Sequence, residues 1–160
     1  NAAIDEFPRV VNGMVAVVQQ ILNTQAPMGK KFLEIAEKYD VSSIAYDRWN
    51  SSQTIIQLQD EGLEMSPFGQ GYGSMSVPSK EFEKMVLAGK IEHFGNPVLR
   101  WMLASTAIQT DPAGNIKPDK RKSSQKIDGI VASIMALGEM MTAKAKEEKN
   151  PYLTRGMRSF

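Results

Sequence analysis

At 160 residues, 42% hydrophobic and 23% charged, the chain has the size and composition of one domain with a buried core. Its formal net charge of +1 excludes no class of partner, because the two signs are spread unevenly along the chain. With no cysteine and one histidine, disulfides, thiolate sites and multi-His zinc sites are excluded, so any metal site is built from oxygens and suits Mg²⁺ or Mn²⁺.

No apolar run approaches the roughly 18 residues of a membrane span. The opening Asn1-Ala2-Ala3-Ile4-Asp5 lacks the basic start and apolar core of a secretory leader, and without an initiator Met the chain reads as a processed or excised piece. Within residues 1–25, Val10, Val11, Val15, Val17, Val18, Ile21 and Leu22 suit either a buried helix or two strands. Pro27 to Tyr39 reads as a helix with proline at its start and Phe32, Leu33, Ala36 and Tyr39 on one face. Val41 to Tyr46 reads as a buried strand that ends in Asp47. Asn50 or Ser51 caps a following helix whose Ile55, Ile56 and Leu58 are expected to point inward, and Gly62 stops it. Leu63 to Phe68 is a second strand.

Gly69-Gln70-Gly71-Tyr72-Gly73-Ser74 is too rich in glycine for regular structure and reads as a loop, a candidate lid. Ser76, Val77 and Pro78 open a helix with Phe82, Met85 and Val86 on one face. Ile91 to Phe94 is short and extended, and Asn96-Pro97 starts a helix through Ser105. Asp111-Pro112-Ala113-Gly114-Asn115 is a hairpin turn between Ala107–Thr110 and Ile116–Lys117. Ser123 or Ser124 is expected to cap the last helix, striped by Ile127, Ile130, Val131, Ile134, Leu137 and Met141. Alternating strands and helices imply an α/β layer fold. Three spans follow: 1–26 unassigned, 27–143 as the domain, and 144–160 as a polar, mobile tail.

Two aspartates are placed for chemistry. Asp47 sits at the carboxyl end of a strand, where open α/β sheets gather ligands. Asp128 falls in a helix first turn, where the dipole favours the ionised form that a hard cation needs. A turn or capping role is the plainer reading of Asp47, and dipole complementation that of Asp128. Between the hairpin and Asp128, the run from Lys117 to Lys126 carries five cations and one acid. Lys117, Lys120, Arg121, Lys122 and Lys126 there suit phosphate contacts. His93, for proton transfer or phosphate contact, and Trp49 and Trp101, for base stacking, are weaker candidates; a surface or half-buried strand position is the plainer reading of the histidine, and packing that of the two tryptophans.

The segments around these acids resemble the nuclease domain of tailed-phage terminase large subunits, in their HK97-like branch. Ile44-Ala45-Tyr46-Asp47-Arg48-Trp49-Asn50 is similar to the strand holding that family's second acid. Residues 69–81, Asn96-Pro97-Val98-Leu99-Arg100-Trp101-Met102, residues 111–120 and Lys126-Ile127-Asp128-Gly129-Ile130-Val131-Ala132 follow in the family's order and spacing, covering roughly residues 27–142. The resemblance implies an RNase H-like (retroviral-integrase-like) α/β fold, a mixed sheet flanked by helices. It implies cutting of concatemeric double-stranded viral DNA with two Mg²⁺ or Mn²⁺ ions, on which Asp47 would be the second acid and Asp128 the third. It further implies a terminase ATPase domain, a small subunit and a portal or procapsid as partners, in the host cytoplasm.

The chain departs from the family in two places. The first acid belongs on the first of three strands preceding the helix at 27–39, yet residues 1–26 show no such motif. Asp5 and Glu6, before Phe7-Pro8, stand outside one. No Gly-x-x-x-x-Gly-Lys-Ser/Thr occurs, so this stretch does not power translocation. A non-catalytic DNA-binding or packaging-assembly module, and an unrelated α/β domain whose acids are caps, remain as alternative readings.

Overall fold

The computed structural model describes residues 14–18, 35, 36, 39, 41–47, 52–91, 93 and 95–148. In chain order these form β1 (Met14–Val18), β2 (Val41–Tyr46), α1 (Ser52–Asp60), β3 (Met65–Pro67), α2 (Tyr72–Leu87), α3 (Pro97–Ala104), β4 (Ile108–Thr110), β5 (Ile116–Pro118) and α4 (Asp128–Glu148). Strands β1, β2 and β3 make one parallel sheet in that order, and β4 pairs with β5 as a separate antiparallel hairpin. The expected mixed sheet is thus, among the described residues, a parallel sheet plus a detached hairpin. Of the readings open for residues 1–25, Met14–Val18 takes the strand, and it covers one edge of β2.

Register brings the carboxyl ends of the three strands level: Val18 lies opposite Tyr46, and Tyr46 opposite Pro67. The ladder continues past β3 through the Phe68 N–H, which donates to the Tyr46 carbonyl at 2.8 Å. At the other end the pairing is irregular. Met14 faces Val41 but Val15 faces Ser43, so β2 carries an extra residue there.

Alternation along β2 divides the core in two. Ile44 buries itself with Ile55, Leu58 and Met65, under α1. Ala45 points the other way, into a larger cluster of Phe68, Met75, Phe82, Ile127, Ile130, Val131, Ile134, Met135 and Leu137. Each of these larger side chains contributes roughly 1.5–3 kcal/mol by leaving water. Helix α4 supplies half of the second cluster because its apolar residues recur at three- and four-residue spacing. It packs on β1, β2, α2 and α3.

Several elements differ from expectation. Helix α2 begins at Tyr72 rather than Ser76: the Met75 N–H donates to the Gly71 carbonyl, so only residues 69–71 remain irregular. Pro78 therefore lies inside a helix, where it removes one backbone bond. Its buried ring lies against Gly138 of α4, a contact that the helix keeps. In α1, Ile55 and Leu58 share a stripe while Ile56 falls about 100° away and is 57% exposed. Gly62, at φ 86°, ends that helix as expected. Asn96 caps α3 as expected, its Oδ1 accepting from the Val98 and Leu99 N–H groups at 3.0 Å. Trp101, expected to pack, is 47% exposed. Residues 91 and 93 form no strand. Helix α4 runs to Glu148, past the boundary drawn at 143. Most of the helix expected from Pro27, Trp49, and residues 149–160 lie outside the described residues.

Candidate functional site

Asp47 follows β2 directly, half-buried, at the level carboxyl ends of the sheet. By alternation it belongs to the same side of β2 as Ala45, the side on which α4 packs. Asp128 is the first residue of α4. The helix starts there because Ile127 is buried and its carbonyl accepts from the Ile130 and Val131 N–H groups at 3.0 Å. Asp47 thus lies at the carboxyl end of β2 and Asp128 at the amino end of α4, a helix that packs on that strand.

Asp128 is engaged. Its Oδ1 accepts from the Lys120 Nζ at 2.8 Å, with the carboxylate side chain 12% exposed and the lysine 42%. This pair spans the basic run and closes it against the helix start. Sequence reasoning separated the two residues by role, one metal ligand and one DNA contact. Their spacing of eight residues, across a turn, gave no periodic signal of contact.

The turn itself is built by Asp119, which is 9% exposed. Its Oδ1 accepts from the Arg121 N–H at 2.9 Å and the Lys122 N–H at 3.2 Å. Its carbonyl accepts from the Ser123 hydroxyl at 2.7 Å, and its N–H donates to the Ala107 carbonyl at 2.8 Å. Ser123, one of the two serines expected to cap α4, instead accepts from the Ala107 N–H at 2.9 Å. The one acid in the basic run is thus its scaffold. The signal available in sequence was an Asp followed by Ser four residues on, the pattern of a side-chain-closed turn. Lys120, Arg121, Lys122 and Lys126 are exposed around it.

Lys117 departs from that group. It is half-buried, its Nζ lies 5.1 Å from the centre of the Tyr72 ring, and it donates to the Gln70 carbonyl at 3.5 Å. The hairpin is further tied to α2 by the Ile116 N–H, which donates to the buried Ser76 hydroxyl at 3.2 Å. At the hairpin tip Asp111 accepts from the Asn115 backbone and side-chain N–H groups, both at 2.8 Å. Those bonds, the side-chain one foremost, hold the Asp111 carboxyl below its ordinary range. Partial burial, then the nearby Asp111 and Asp119 charges, push the Tyr72 hydroxyl up.

Two carboxylates without imidazole or thiolate suit a hard divalent cation, since Mg²⁺ keeps several waters and binds through one or two carboxylates plus substrate phosphates. Among the described residues, no group of three or more His, Asp or Glu is placed to hold a metal. The sequence carries no acid from residue 7 to residue 33, and β1 is followed by Gln19 and Gln20. Asp5 lies outside the described residues. His93 is half-buried, and its Nδ1 is enclosed without a hydrogen-bond partner among them.

Residues 13–144 match the family model of the terminase large subunit endonuclease domain. The chain is 36% identical over 107 residues to the large terminase subunit of Enterobacteria phage HK97, covering 66% of this chain and 21% of that protein. It is 33% identical over 123 residues to protein YmfN of Escherichia coli K12, covering 75% of this chain and 27% of that one. The crystal structure of the HK97 bacteriophage large terminase superposes with a TM-score of 0.64 at 33% identity, over 70% of this chain and 24% of the other. The chain thus spans about a quarter of the length of the relatives it matches.

Proposed function

Because this chain belongs to the terminase large subunit endonuclease family, we propose that it is an RNase H-like, metal-dependent nuclease module that cuts concatemeric double-stranded DNA during viral genome packaging. One observation supports the reading: both acids fall within the family match, Asp47 directly after β2 at the level strand ends and Asp128 as the first residue of α4, a helix that packs on β2.

Asp47 and Asp128 are the proposed ligands of two Mg²⁺ or Mn²⁺ ions. When bound, such ions supply an activated water and charge stabilisation at the leaving 3′ oxygen, so no protein nucleophile is needed. Lys120, Arg121, Lys122 and Lys126 are the proposed phosphate contacts, the first three carried by the Asp119 turn. Lys117 acts behind them, bracing the hairpin against residues 70–72. The ATPase domain, small subunit and portal or procapsid are the proposed partners, and the host cytoplasm the proposed location.

A second reading, a DNA-binding or packaging-assembly module without catalysis, draws on the donor count: among the described residues no group of three or more His, Asp or Glu is placed to hold a metal, and the sequence has no acid from residue 7 to residue 33. Plasmid nicking separates the two. The nuclease reading expects nicking with Mn²⁺ or Mg²⁺, arrest by EDTA, and loss in Asp47→Asn and Asp128→Asn while DNA binding persists. Salt-sensitive binding without nicking selects the second reading. Nicking that survives the double substitution Asp47→Ala with Asp128→Ala refutes the metal assignment.

A further inference from the structure

The ion pair between Lys120 and Asp128 carries an inference that rests on Asp128 being a metal ligand. We propose that Lys120 is a tethered cation that competes with the metal for Asp128 and yields to it when a DNA phosphate takes the ammonium, so that metal and DNA bind cooperatively.

The argument begins with distance. The ammonium lies 2.8 Å from Oδ1 of a carboxylate whose side chain is 12% exposed. A Mg²⁺ ion sits about 2.0–2.1 Å from its oxygen ligands. An ammonium and a dication on one small carboxylate repel each other strongly, so each weakens the other. Lys120 has somewhere to go. Its own side chain is 42% exposed, on a four-carbon stem. It leaves the same turn whose backbone presents Arg121 and Lys122 outward. Arg121 and Lys122 follow Lys120 directly in the sequence and are exposed, so a phosphate drawn to those two cations would attract the Lys120 ammonium as well. DNA would therefore draw Lys120 off Asp128 and favour the metal, and by reciprocity the metal would favour DNA. The Asp119 side chain holds the backbone of the turn at Arg121 and Lys122, so the turn that carries Lys120 is anchored independently of Asp128.

The test compares Mn²⁺ affinity without DNA, by isothermal titration, in the wild type, Lys120→Ala, Lys120→Arg, Lys122→Ala and Asp128→Asn. Lys120→Ala is expected to bind Mn²⁺ about two- to fivefold more tightly, the range of a half-exposed ion pair. Lys120→Arg is expected to stay near wild type. Lys122→Ala removes the same charge from the same turn without touching Asp128, and is expected to gain less. In a second arm, duplex affinity is measured by fluorescence anisotropy in Ca²⁺ and in EDTA. The Ca²⁺-dependent gain in affinity is expected to shrink in Lys120→Ala. Circular dichroism establishes that each variant is folded, and Lys120→Gln substitutes for any Lys120→Ala preparation that is not.

The proposal is overturned if Asp128→Asn loses Mn²⁺ while Lys120→Ala binds it no more tightly than wild type, or no more tightly than Lys122→Ala. If Asp128→Asn binds Mn²⁺ as well as wild type does, the underlying assignment of Asp128 as a ligand fails, and the proposal falls with it for that separate reason.

Discussion

Replacing Gly138 by alanine sets two effects of opposite sign against each other. Alanine in place of glycine in a helix interior ordinarily stabilises by about 1 kcal/mol. Here the added Cβ would stand 2.7 Å from Phe68 Cζ, 2.8 Å from its Cε2 and 3.1 Å from Pro78 Cγ. Phe68 is 8% exposed and belongs to the main cluster, so its ring has little room to retreat. Overpacking of this kind costs about 1–3 kcal/mol. The net expectation runs from near neutral to about 2 kcal/mol destabilising, with the melting temperature falling by about 2–4 °C per kcal/mol at this chain length. Phe68→Leu removes both crowded ring atoms, so in that background Gly138→Ala should recover most of its helical gain. The four proteins form a double-mutant cycle, read by urea unfolding, with an expected coupling of about 1–3 kcal/mol. If Gly138→Ala alone raises the melting temperature by several degrees, or adds independently to Phe68→Leu, the close approach of α4 to Phe68 is refuted.

Three further outcomes are expected. In DNA binding followed against salt, Arg121→Ala with Lys122→Ala should lower the slope of log K against log salt by roughly 2, whereas Lys117→Ala should leave the slope nearly unchanged because its ammonium is turned onto Tyr72 and Gln70. Asp119→Ala leaves the Arg121 and Lys122 N–H groups without their acceptor and should cost about 1–3 kcal/mol in urea unfolding; Asp119→Asn, which keeps an oxygen there, should cost less. The folded-state pKa of Asp111 is depressed below the ordinary 3.8. Its contribution to the hairpin is therefore full above that value and is lost as pH falls through the lower, folded value. Amide chemical shifts of residues 111–116 followed through that window should show the loosening, and Asp111→Asn should remove its pH dependence.

What the sequence disclosed follows from the range of each interaction. The hairpin and the Asn96 cap rest on neighbours within a few residues, and strand β2 shows as a compact run closed by Asp47, so all three were legible with their residues. The strand at Met14–Val18 was left open, because its β-branched run suits either state and its partner lies about 27 residues on. Helix α2 was begun four residues late because Pro78 looked like a first-turn proline; only its packing on Gly138 explains its place inside the helix. Within the site, both acids were picked out by local placement. The Lys120–Asp128 pair and the scaffold role of Asp119 were not, since each depends on how a turn folds back. Lys117 was grouped with the phosphate contacts by composition, and its inward turn depends on Tyr72, remote in sequence.

The bulge between β1 and β2 has a consequence for how this face tolerates change. In a sheet, register acts as an address: slipping β2 by one residue would deliver Tyr46 or Arg48 to the position that Asp47 occupies. The irregular pairing sits at Met14 and Val41, while Val15 to Val18 match Ser43 to Tyr46 without interruption. Length changes in the segment joining the two strands can therefore be taken up at the far end of the ladder, leaving the acid's address intact. An insertion between Ser43 and Tyr46 has no such refuge.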